Sequence, residues 1–205
     1  MEVARDVMEV MDMLAGIYAS KRKDVGVSLL AKCLRSVWFR MQTGQDIVTD
    51  AALHGTERHH WMERHFPQEL EKRGYKCTPE VRVTYGDIAG YVDLMCEKDG
   101  LRYAFEFKFT SNPSGSNPFM AQYRKQLEYY AAMANAIGVL VVSDFNIERN
   151  YVEIIVLSED DRERVLSELR QRYDIIKSGK EPAPEYGPWC KFCAFKNICM
   201  NKRLI

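Results

Sequence analysis

Two carboxylates and a lysine in the middle of the sequence have the types and spacing of a cation-binding site. Asp93 lies in the segment IAGYVDLMCE, and Glu106 and Lys108 lie in the next segment, LRYAFEFKFT. Both segments have the β-branched and aromatic content of strands, and they are joined by Asp99 and Gly100, a pair that favours a two-residue hairpin turn. That turn would place Asp93 opposite Glu106, with their β-carbons about 5 Å apart.

This arrangement predicts a divalent cation beside a buried sheet. Two carboxylates at that separation repel each other unless a proton or a cation lies between them. Side chains alternate along a strand, so Lys108 shares the face of Glu106, whereas Phe105, Phe107 and Phe109 take the apolar face. The carboxylates can bind the cation, and the lysine can position a water or stabilise charge at an attacked phosphate. The alternative is a solvated strand face on which acids and lysine merely alternate.

Two neighbouring groups favour the cation site. In the helical segment FMAQYRKQLEYYAAMANAI, Gln122, Gln126 and Tyr130 recur at helical spacing and form a polar stripe among Ala and Leu. Upstream, the segment HGTERHHWMERHF supplies His59 and His60 on a predicted helix. Either imidazole could complete the ligand set of Mn or Mg, but adjacent helical residues point about 100° apart, so only one of them can do so.

The cysteines form a second chemical group. Cys190, Cys193 and Cys199 lie in WCKFCAFKNICM, and three further cysteines lie upstream. In a reducing compartment we expect all six cysteines to be free of disulfides, and a tight cluster of them predicts a metal or catalytic site. Four thiolates suit zinc and iron–sulfur clusters alike, but one Cys-x2-Cys pair with a five-residue gap fits iron–sulfur ligation better than a zinc ribbon.

The elements that must position these residues run in the order helical, mostly strand, then helical. We predict a helix capped by Ser28 through LLAKCLRSVWFR, and a longer helix ending where Pro67 interferes. Three strands follow, then a loop and a helix started near Asn117. Two more strands precede a charged helix that is capped by Ser158 and ends near Gly179. This order indicates a mixed α/β (α+β) fold.

Composition indicates a single globular domain. The chain has 205 residues, with 29 Lys plus Arg and 29 Asp plus Glu. The balance of charge neither points to a nucleic-acid partner nor excludes one. The opening segment MEVARDVMEVMDMLAG predicts an amphipathic helix, and no apolar run approaches the length of a membrane span, so we expect a soluble, cytoplasmic protein. Within the domain we distinguish a helical part (1–75), a core (76–178) and a cysteine segment (179–205).

These residues together resemble a known family. The pattern is similar to the RecB-type branch of the PD-(D/E)xK nucleases, whose motifs match Gly55-x3-His59, Asp93, Glu106-x-Lys108 and Gln126-x3-Tyr130. Adding Cys33 to Cys190-x2-Cys193-x5-Cys199 gives the pattern of the iron–sulfur members, and size and motif order best match the CRISPR-associated exonuclease of the fourth Cas family. The resemblance covers nearly the whole chain and implies a restriction-endonuclease-like sheet flanked by helices.

The resemblance also implies roles for individual residues. Asp93, Glu106, the carbonyl of Phe107 and the motif histidine, His59 before His60, would bind Mn²⁺ or Mg²⁺. Lys108 would be catalytic, and Gln126 and Tyr130 would support the site. Cys33, Cys190, Cys193 and Cys199 would hold a [4Fe-4S] or [2Fe-2S] cluster that joins the two ends of the chain, with Cys77 and Cys96 as rival ligands. Of these rivals, Cys96 is expected to face the core as a small apolar residue.

The implied activity is 5′-to-3′ exonuclease digestion of single-stranded DNA during CRISPR spacer acquisition, with Cas integrase subunits as partners. A passage for single-stranded DNA is a separate hypothesis, in which Trp38, Trp189, Phe192 and Phe195 stack on bases and Lys191, Lys196, Lys202 and Arg203 follow phosphates. The alternative, which we favour for most of these aromatic residues, is that they shield the cluster from solvent. Two alternatives stay open. One is a repair exonuclease of the same fold unrelated to CRISPR, and the other is a non-catalytic iron–sulfur subunit that binds DNA.

Overall fold

The computed structural model describes residues 25–44 and 50–201, and for residues 50–57 and 201 only the backbone. The helices are α1 (Val27–Leu30), α2 (Leu34–Thr43), α3 (Asp50–Glu71), α4 (Met120–Ala134), α5 (Glu159–Lys177) and α6 (Lys196–Asn201), with a 3₁₀ turn at Pro188–Phe192. The strands are β1 (Lys76–Tyr85), β2 (Ile88–Lys98), β3 (Leu101–Phe109), β4 (Ile137–Ser143) and β5 (Asn150–Ile155).

The strands form one five-stranded sheet in sequential order. β1, β2 and β3 are joined as antiparallel hairpins, β4 runs parallel to β3 after the α4 crossover, and β5 is antiparallel to β4. Asp99 and Gly100 make the turn between β2 and β3 with φ of 52° and 75°, the left-handed conformation that a type I′ turn requires. The predicted register is confirmed, since Leu94 pairs with Phe105 and Lys98 with Leu101.

Helices cover both faces of the sheet. On one face Met62, Phe66 and Leu70 of α3 pack against an apolar cluster that includes Leu94 and Phe107. On the other face α1, α4 and α5 enclose a larger cluster, which buries side chains of all three helices against β2 and β3. The predicted mixed α/β class, with a restriction-endonuclease-like sheet flanked by helices, is confirmed.

The predicted helix through LLAKCLRSVWFR is wrong, because it is two helices. α1 begins after Gly26, not after Ser28, and the chain leaves helical geometry between Ala31 and Cys33 before α2 starts at Leu34. Tertiary hydrogen bonds hold this break open, which local helix propensity cannot foresee.

Pro67 does not end α3, which continues to Glu71. Proline removes one backbone hydrogen bond and crowds the preceding turn, but Pro67 is itself buried, and the apolar residues on either side, Met62, Phe66 and Leu70, pack on the sheet. Packing of that face therefore outweighs the local cost of the proline. The caps predicted for α5 are confirmed, since the Ser158 hydroxyl accepts the amide of Asp161 and Gly179 has φ 70°.

Cys77 and Cys96 form a disulfide, so the expectation of six reduced cysteines is wrong. They are opposite one another on β1 and β2, which brings their sulfur atoms together. Cys96 is fully buried as expected, but not as a free thiol, and neither residue remains as a rival ligand for the carboxyl-terminal cysteines.

Two of the sequence predictions lie outside the described residues. They are the amphipathic helix at the amino terminus and the phosphate-following role of Lys202 and Arg203. Within residues 25–44 and 50–201, no helix combines the length and apolar character needed to cross a bilayer.

Candidate active site

Asp93 lies where the regular structure of β2 is interrupted on both sides. The ladder with β3 ends at Leu94, and the ladder with β1 skips Asp93, where the facing residue Glu80 has φ 50°. Side-chain alternation also inverts here, because Val92 packs with the α1 and α5 cluster whereas Leu94 packs with the α3 cluster. The interruption leaves the Asp93 carboxylate free to reach across to β3 and α3, as irregular strand positions beside active sites often do.

The Asp93 carboxylate makes two contacts that hold it in the site. Its Oδ2 accepts the backbone N–H of Phe107 at 2.7 Å and lies 2.9 Å from Nε2 of His59 on α3. Burial alone would lower the pKa of His59, but the hydrogen bond and charge of Asp93 outweigh it and raise that pKa. His59 and Asp93, which the family resemblance assigns to the same cation, therefore lie in direct contact.

Glu106 is the most unusual group in the site, because it is almost completely buried and only half satisfied. It is 1% exposed. Its Oε1 accepts Nζ of Lys108 and, at 2.7 Å, Nε2 of Gln126. Among the described residues no donor reaches its Oε2. Burial and the nearby charge of Asp93 raise the pKa of Glu106 to about 7.

Lys108 lies between Glu106 and the ring of Tyr123. Its Nζ is 5.7 Å from the Tyr123 ring centroid. Burial would lower the pKa of Lys108, but the charges of Glu106 and Asp93 raise it overall, so the side chain stays an ammonium. It can therefore donate to an anion but cannot serve as a general base near neutral pH.

The helix α4 supplies Gln126 and Tyr130, as the polar stripe predicted. Gln126 is 8% exposed and holds Glu106, and Tyr130 is 3% exposed. Burial and the charges of Glu106 and Asp93 raise the pKa of Tyr130, so its phenol stays protonated. A Cβ on Gly90 would lie 2.7 Å from the Tyr130 ring, so the glycine in β2 makes room for this side chain.

The two adjacent histidines differ in their surroundings. His59 faces Asp93, whereas the side chain of His60 is 56% exposed and its Nδ1 lies 3.1 Å from Oε2 of Glu63. The other oxygen of Glu63 lies 3.1 Å from Nδ1 of His59. Glu63 is a site residue that the sequence reasoning missed, although its spacing of i and i+4 from His59 on one helix face was a usable signal. A carboxylate on Nδ1 fixes the imidazole and leaves Nε2 for a metal, the usual pattern of metal-binding histidines.

The four remaining cysteines line one cavity, although they are up to 166 positions apart in the sequence. We call it the cysteine cavity; its volume is about 590 Å³, and its walls include Cys33, Cys190, Cys193 and Cys199. Burial and the neighbouring thiols of the other three raise the pKa of Cys193. Two buried donors on its lining residues, Nε of Arg35 and Nε1 of Trp189, have no acceptor among the described residues.

The cysteine cavity shares one wall residue with the surroundings of the active site. Its walls also include Thr110, Gln122 and Tyr123, and Tyr123 is the ring beside Lys108. Of the aromatic residues predicted for a DNA passage, Phe192 is 65% exposed, with its ring centroid 5.6 Å from that of Phe119. Phe195 stacks on Phe39, and Trp38 donates its Nε1–H to the carbonyl of Gly179 at 2.9 Å. Phe192 is thus the most accessible of these rings, while Phe195 and Trp38 are engaged in packing.

The donor set fits a divalent cation of the hard kind. Carboxylates of Asp93 and Glu106 and an imidazole of His59 converge, and Oε2 of Glu106 is buried with no partner in the part of the chain that the structure describes. Oxygen ligands with one nitrogen suit Mg²⁺ or Mn²⁺. The ammonium of Lys108, fixed beside the carboxylates, can stabilise negative charge that develops on a substrate.

Comparison with known proteins identifies one matching family and two similar folds. A sequence profile described as the PD-(D/E)XK nuclease superfamily matches residues 9–200. The crystal structure of a protein described as SSO0001 superposes with a TM-score of 0.65 at 18% sequence identity, over 93% of this chain and 96% of that one. The crystal structure of an alkaline exonuclease from Laribacter hongkongensis covers 76% of this chain and 92% of its own at 15% identity, with a TM-score of 0.45.

Proposed function

The chain belongs to the PD-(D/E)XK nuclease superfamily, a group of metal-dependent nucleases, and on that premise we propose that it is a DNA exonuclease acting on single strands. One observation carries the catalytic part of the proposal. Oε2 of the buried Glu106 carboxylate, which lies near Asp93, has no partner within residues 25–44 and 50–201. A buried acceptor without a partner is costly, and a cation would remove that cost.

Each residue of the site then has a role. Asp93, Glu106, the carbonyl of Phe107 and Nε2 of His59 would hold Mn²⁺ or Mg²⁺. When bound, the cation polarises the phosphate and lowers the pKa of a coordinated water. Lys108 stabilises the developing charge and orients the nucleophile.

Two residues of α4 would support this set. Gln126 fixes Oε1 of Glu106 through its amide, so that Oε2 stays available. Tyr130 remains a neutral phenol next to the carboxylates, and it can donate a hydrogen bond without adding charge to the site.

A single strand suits the route to this site. The cysteine cavity is lined by Arg35, Arg40 and Lys196 as well as by aromatic rings, and one of these rings is that of Tyr123, which lies beside Lys108. Cations that follow phosphates and rings that stack on bases are the usual means of binding single strands. We assign the stacking role mainly to Phe192, because its ring is the most exposed.

We further propose an iron–sulfur cluster, [4Fe-4S] or [2Fe-2S], on Cys33, Cys190, Cys193 and Cys199. The position of the four thiols around one cavity supports it. So do Nε of Arg35 and Nε1 of Trp189, which have no acceptor among the residues described and can hydrogen-bond to sulfur. The cluster would join the amino-terminal helices to the carboxyl segment. Zinc on the same thiolates is the competing reading, and absorbance near 400 nm with iron and zinc analysis of anaerobically purified protein separates the two.

The biological setting that fits best is CRISPR spacer acquisition in the cytoplasm, with 5′-to-3′ trimming of fragments and Cas integrase subunits as partners. We treat residues 1–205 as one domain, and the proposed CRISPR setting is based on the order of the motifs along it. A repair exonuclease of the same fold remains the second candidate, and pull-down with the integrase subunits distinguishes the two. A non-catalytic DNA-binding subunit is the third candidate, and Oε2 of Glu106, buried without a partner among the described residues, argues against it.

The decisive test compares the wild type with Asp93→Ala on 5′-labelled and 3′-labelled single-stranded DNA with Mn²⁺. We expect loss of digestion for Asp93→Ala and early release of the 5′ label by the wild type. Glu97→Ala, an exposed acid on the same strand, is the matched control and should keep full activity. Equal digestion by wild type and Asp93→Ala would identify a contaminating nuclease and overturn the proposal.

A further inference from the structure

The break between α1 and α2 is held by two residues from the far end of the chain. Nε of Arg172, on α5, donates to the carbonyl of Leu30 at 2.6 Å, and its Nη2 donates to the carbonyl of Lys32. Glu185 accepts the backbone N–H of Leu34 on Oε1 at 2.7 Å. The three anchored peptide groups surround Cys33, which has one anchored residue on each side.

These contacts satisfy groups that helix ends leave open. The last carbonyls of a helix and the first amides of the next lack partners within the helix. Cys33 occupies the N-cap position of α2, where its side chain makes no capping hydrogen bond. The carboxylate of Glu185 takes over that task and places a negative charge at the positive end of the helix.

Arg172 and Glu185 also bind each other, so the network closes on itself. Nη1 of Arg172 lies 3.0 Å from Oε2 of Glu185, and Nη2 lies 3.2 Å from Oε1. Arg172 is 9% exposed, and all three of its nitrogens have acceptors. A two-pronged pair of this kind fixes orientation as well as distance.

The same carboxyl segment carries the other cysteines. Glu185 is five residues before Cys190, whose Sγ lies 3.9 Å from the Glu185 carbonyl oxygen. One residue therefore contacts both sides of the cysteine cavity, through its side chain toward Cys33 and through its backbone toward Cys190.

We propose that Arg172 and Glu185 are positioning residues that place Cys33 beside the carboxyl-terminal cysteines before any metal is bound. The cysteine group is thereby assembled by hydrogen bonds, and an incoming cluster meets a preformed site. The inference deepens the proposed iron–sulfur site and rests on it for its purpose, but the placement of Cys33 is a property of the metal-free chain.

The test uses the metal-free full chain. Diamide oxidises two neighbouring thiols to a disulfide and is itself reduced to the hydrazine, so the rate of disulfide formation between Cys33 and Cys190, Cys193 or Cys199, followed by mass spectrometry, measures their proximity. We expect Arg172→Met and Glu185→Ala to slow this reaction at least about tenfold, the effect of losing charge-assisted hydrogen bonds. Glu185→Gln, which keeps an oxygen for the Leu34 amide, should fall between them and the wild type.

The control is Arg170→Met, which removes an exposed arginine from the same helix that pairs instead with Asp87 and Asp174. It should react at the wild-type rate. All rates are measured at a temperature at which circular dichroism shows each variant folded, and Glu185→Gln preserves the test if Glu185→Ala does not fold. Cys33 disulfides that form at the wild-type rate in Arg172→Met and in Glu185→Gln would overturn the inference.

Iron content separates this inference from the cluster proposal. If reconstituted wild type holds no iron while the variants still slow the Cys33 reaction, the positioning role stands and the iron–sulfur assignment fails. If the wild type holds iron and the variants load it equally fast and completely, Arg172 and Glu185 have no positioning role.

Discussion

Glu106 and Glu185 show two opposite ways of using a carboxylate. Glu106 is almost fully buried, and one of its oxygens has no partner among the described residues. The side chain of Glu185 is 35% exposed, yet both its oxygens accept hydrogen bonds from Arg172, and one of them also accepts the Leu34 amide. Burial of the first carboxylate destabilises the fold, and binding of a cation would offset that cost, whereas the hydrogen bonds of the second carboxylate stabilise the fold without any ligand.

Removing the charge of Glu106 should give the largest effect. We expect Glu106→Gln to lower the rate of DNA hydrolysis about a thousandfold, since a ligand of the cation and the partner of Lys108 are lost together. The matched substitution Glu185→Gln should leave kcat within about threefold, measured on single-stranded DNA with saturating Mn²⁺. If Glu185→Gln is as inactive as Glu106→Gln, the two carboxylates do not differ in their roles as we propose.

The pH dependence of stability should separate the two carboxylates next. The pKa of Glu106 is raised from 4.5 to about 7, so the folded state binds the proton more tightly than the unfolded state. Its contribution to stability is fully present below pH 4.5 and is lost as pH rises through about 7, a change of about 3 kcal/mol.

The measurement is urea unfolding of metal-free protein with a chelator at several pH values. Other carboxylates add slopes of their own, so the quantity to compare is the difference between the wild type and Glu106→Gln. That difference should shift in favour of Glu106→Gln by about 3 kcal/mol between pH 4.5 and about 7. A difference that stays constant with pH would mean that Glu106 is not destabilised by burial.

Removing Arg172 from its pair with Glu185 should have a smaller effect on stability than Glu106→Gln has near pH 7, and it should destabilise the protein rather than stabilise it. Arg172→Met leaves the carbonyls of Leu30 and Lys32 and the carboxylate of Glu185 without their donor, and we expect the free energy of unfolding to fall by about 2 kcal/mol. The loss is smaller than for a fully buried ion pair, because Glu185 keeps contact with water. Arg170→Met, with the same loss of charge on the same helix, should change it by less than about 0.5 kcal/mol.

The two regions also differ in how far the sequence predicts them. The register of β2 and β3, from Leu94 with Phe105 to Lys98 with Leu101, followed from a hairpin turn of Asp99 and Gly100, a local signal whose conformation depends on a few neighbouring residues. The inversion of side-chain alternation at Asp93 was not predictable, because it depends on a distortion in β1, at Glu80, that no periodicity records. Pro79, next to Glu80, is a sequence signal for this distortion, because proline in a strand is found at edges and bulges.

Around Cys33, in contrast, the local signal was misleading. LLAKCLRSVWFR has the residues of one continuous helix, and it is interrupted because Arg172, about 140 residues later, binds the carbonyls of Leu30 and Lys32. The pairing of Cys77 with Cys96 was missed for a related reason, since it depends on the register between β1 and β2. The family resemblance predicted that Cys33 lies near the carboxyl-terminal cysteines, but it did not predict which contacts hold Cys33 in that position.

The smallest predicted effect concerns Glu63. Like Glu106 it lies at the active site, but like Glu185 it has a partner on each of its carboxylate oxygens. These partners are Nδ1 of His59 and Nδ1 of His60. If it only orients His59, Glu63→Gln should weaken Mn²⁺ binding about tenfold, the usual effect of losing the carboxylate behind a metal-binding histidine. Isothermal titration with Mn²⁺ measures this directly.

His60→Ala is the informative partner to that variant, because it removes the other contact of Glu63 and leaves His59 in place. We expect Mn²⁺ affinity to change less than about twofold, since His60 faces solvent and His59 alone faces Asp93. His59, His60 and Glu63 are also close enough to hold an ion by themselves. A loss of affinity in His60→Ala as large as in Glu63→Gln would mean that His59, His60 and Glu63 together bind the metal. Glu63 would then be a metal ligand, as we propose for Glu106, rather than a residue that only orients His59.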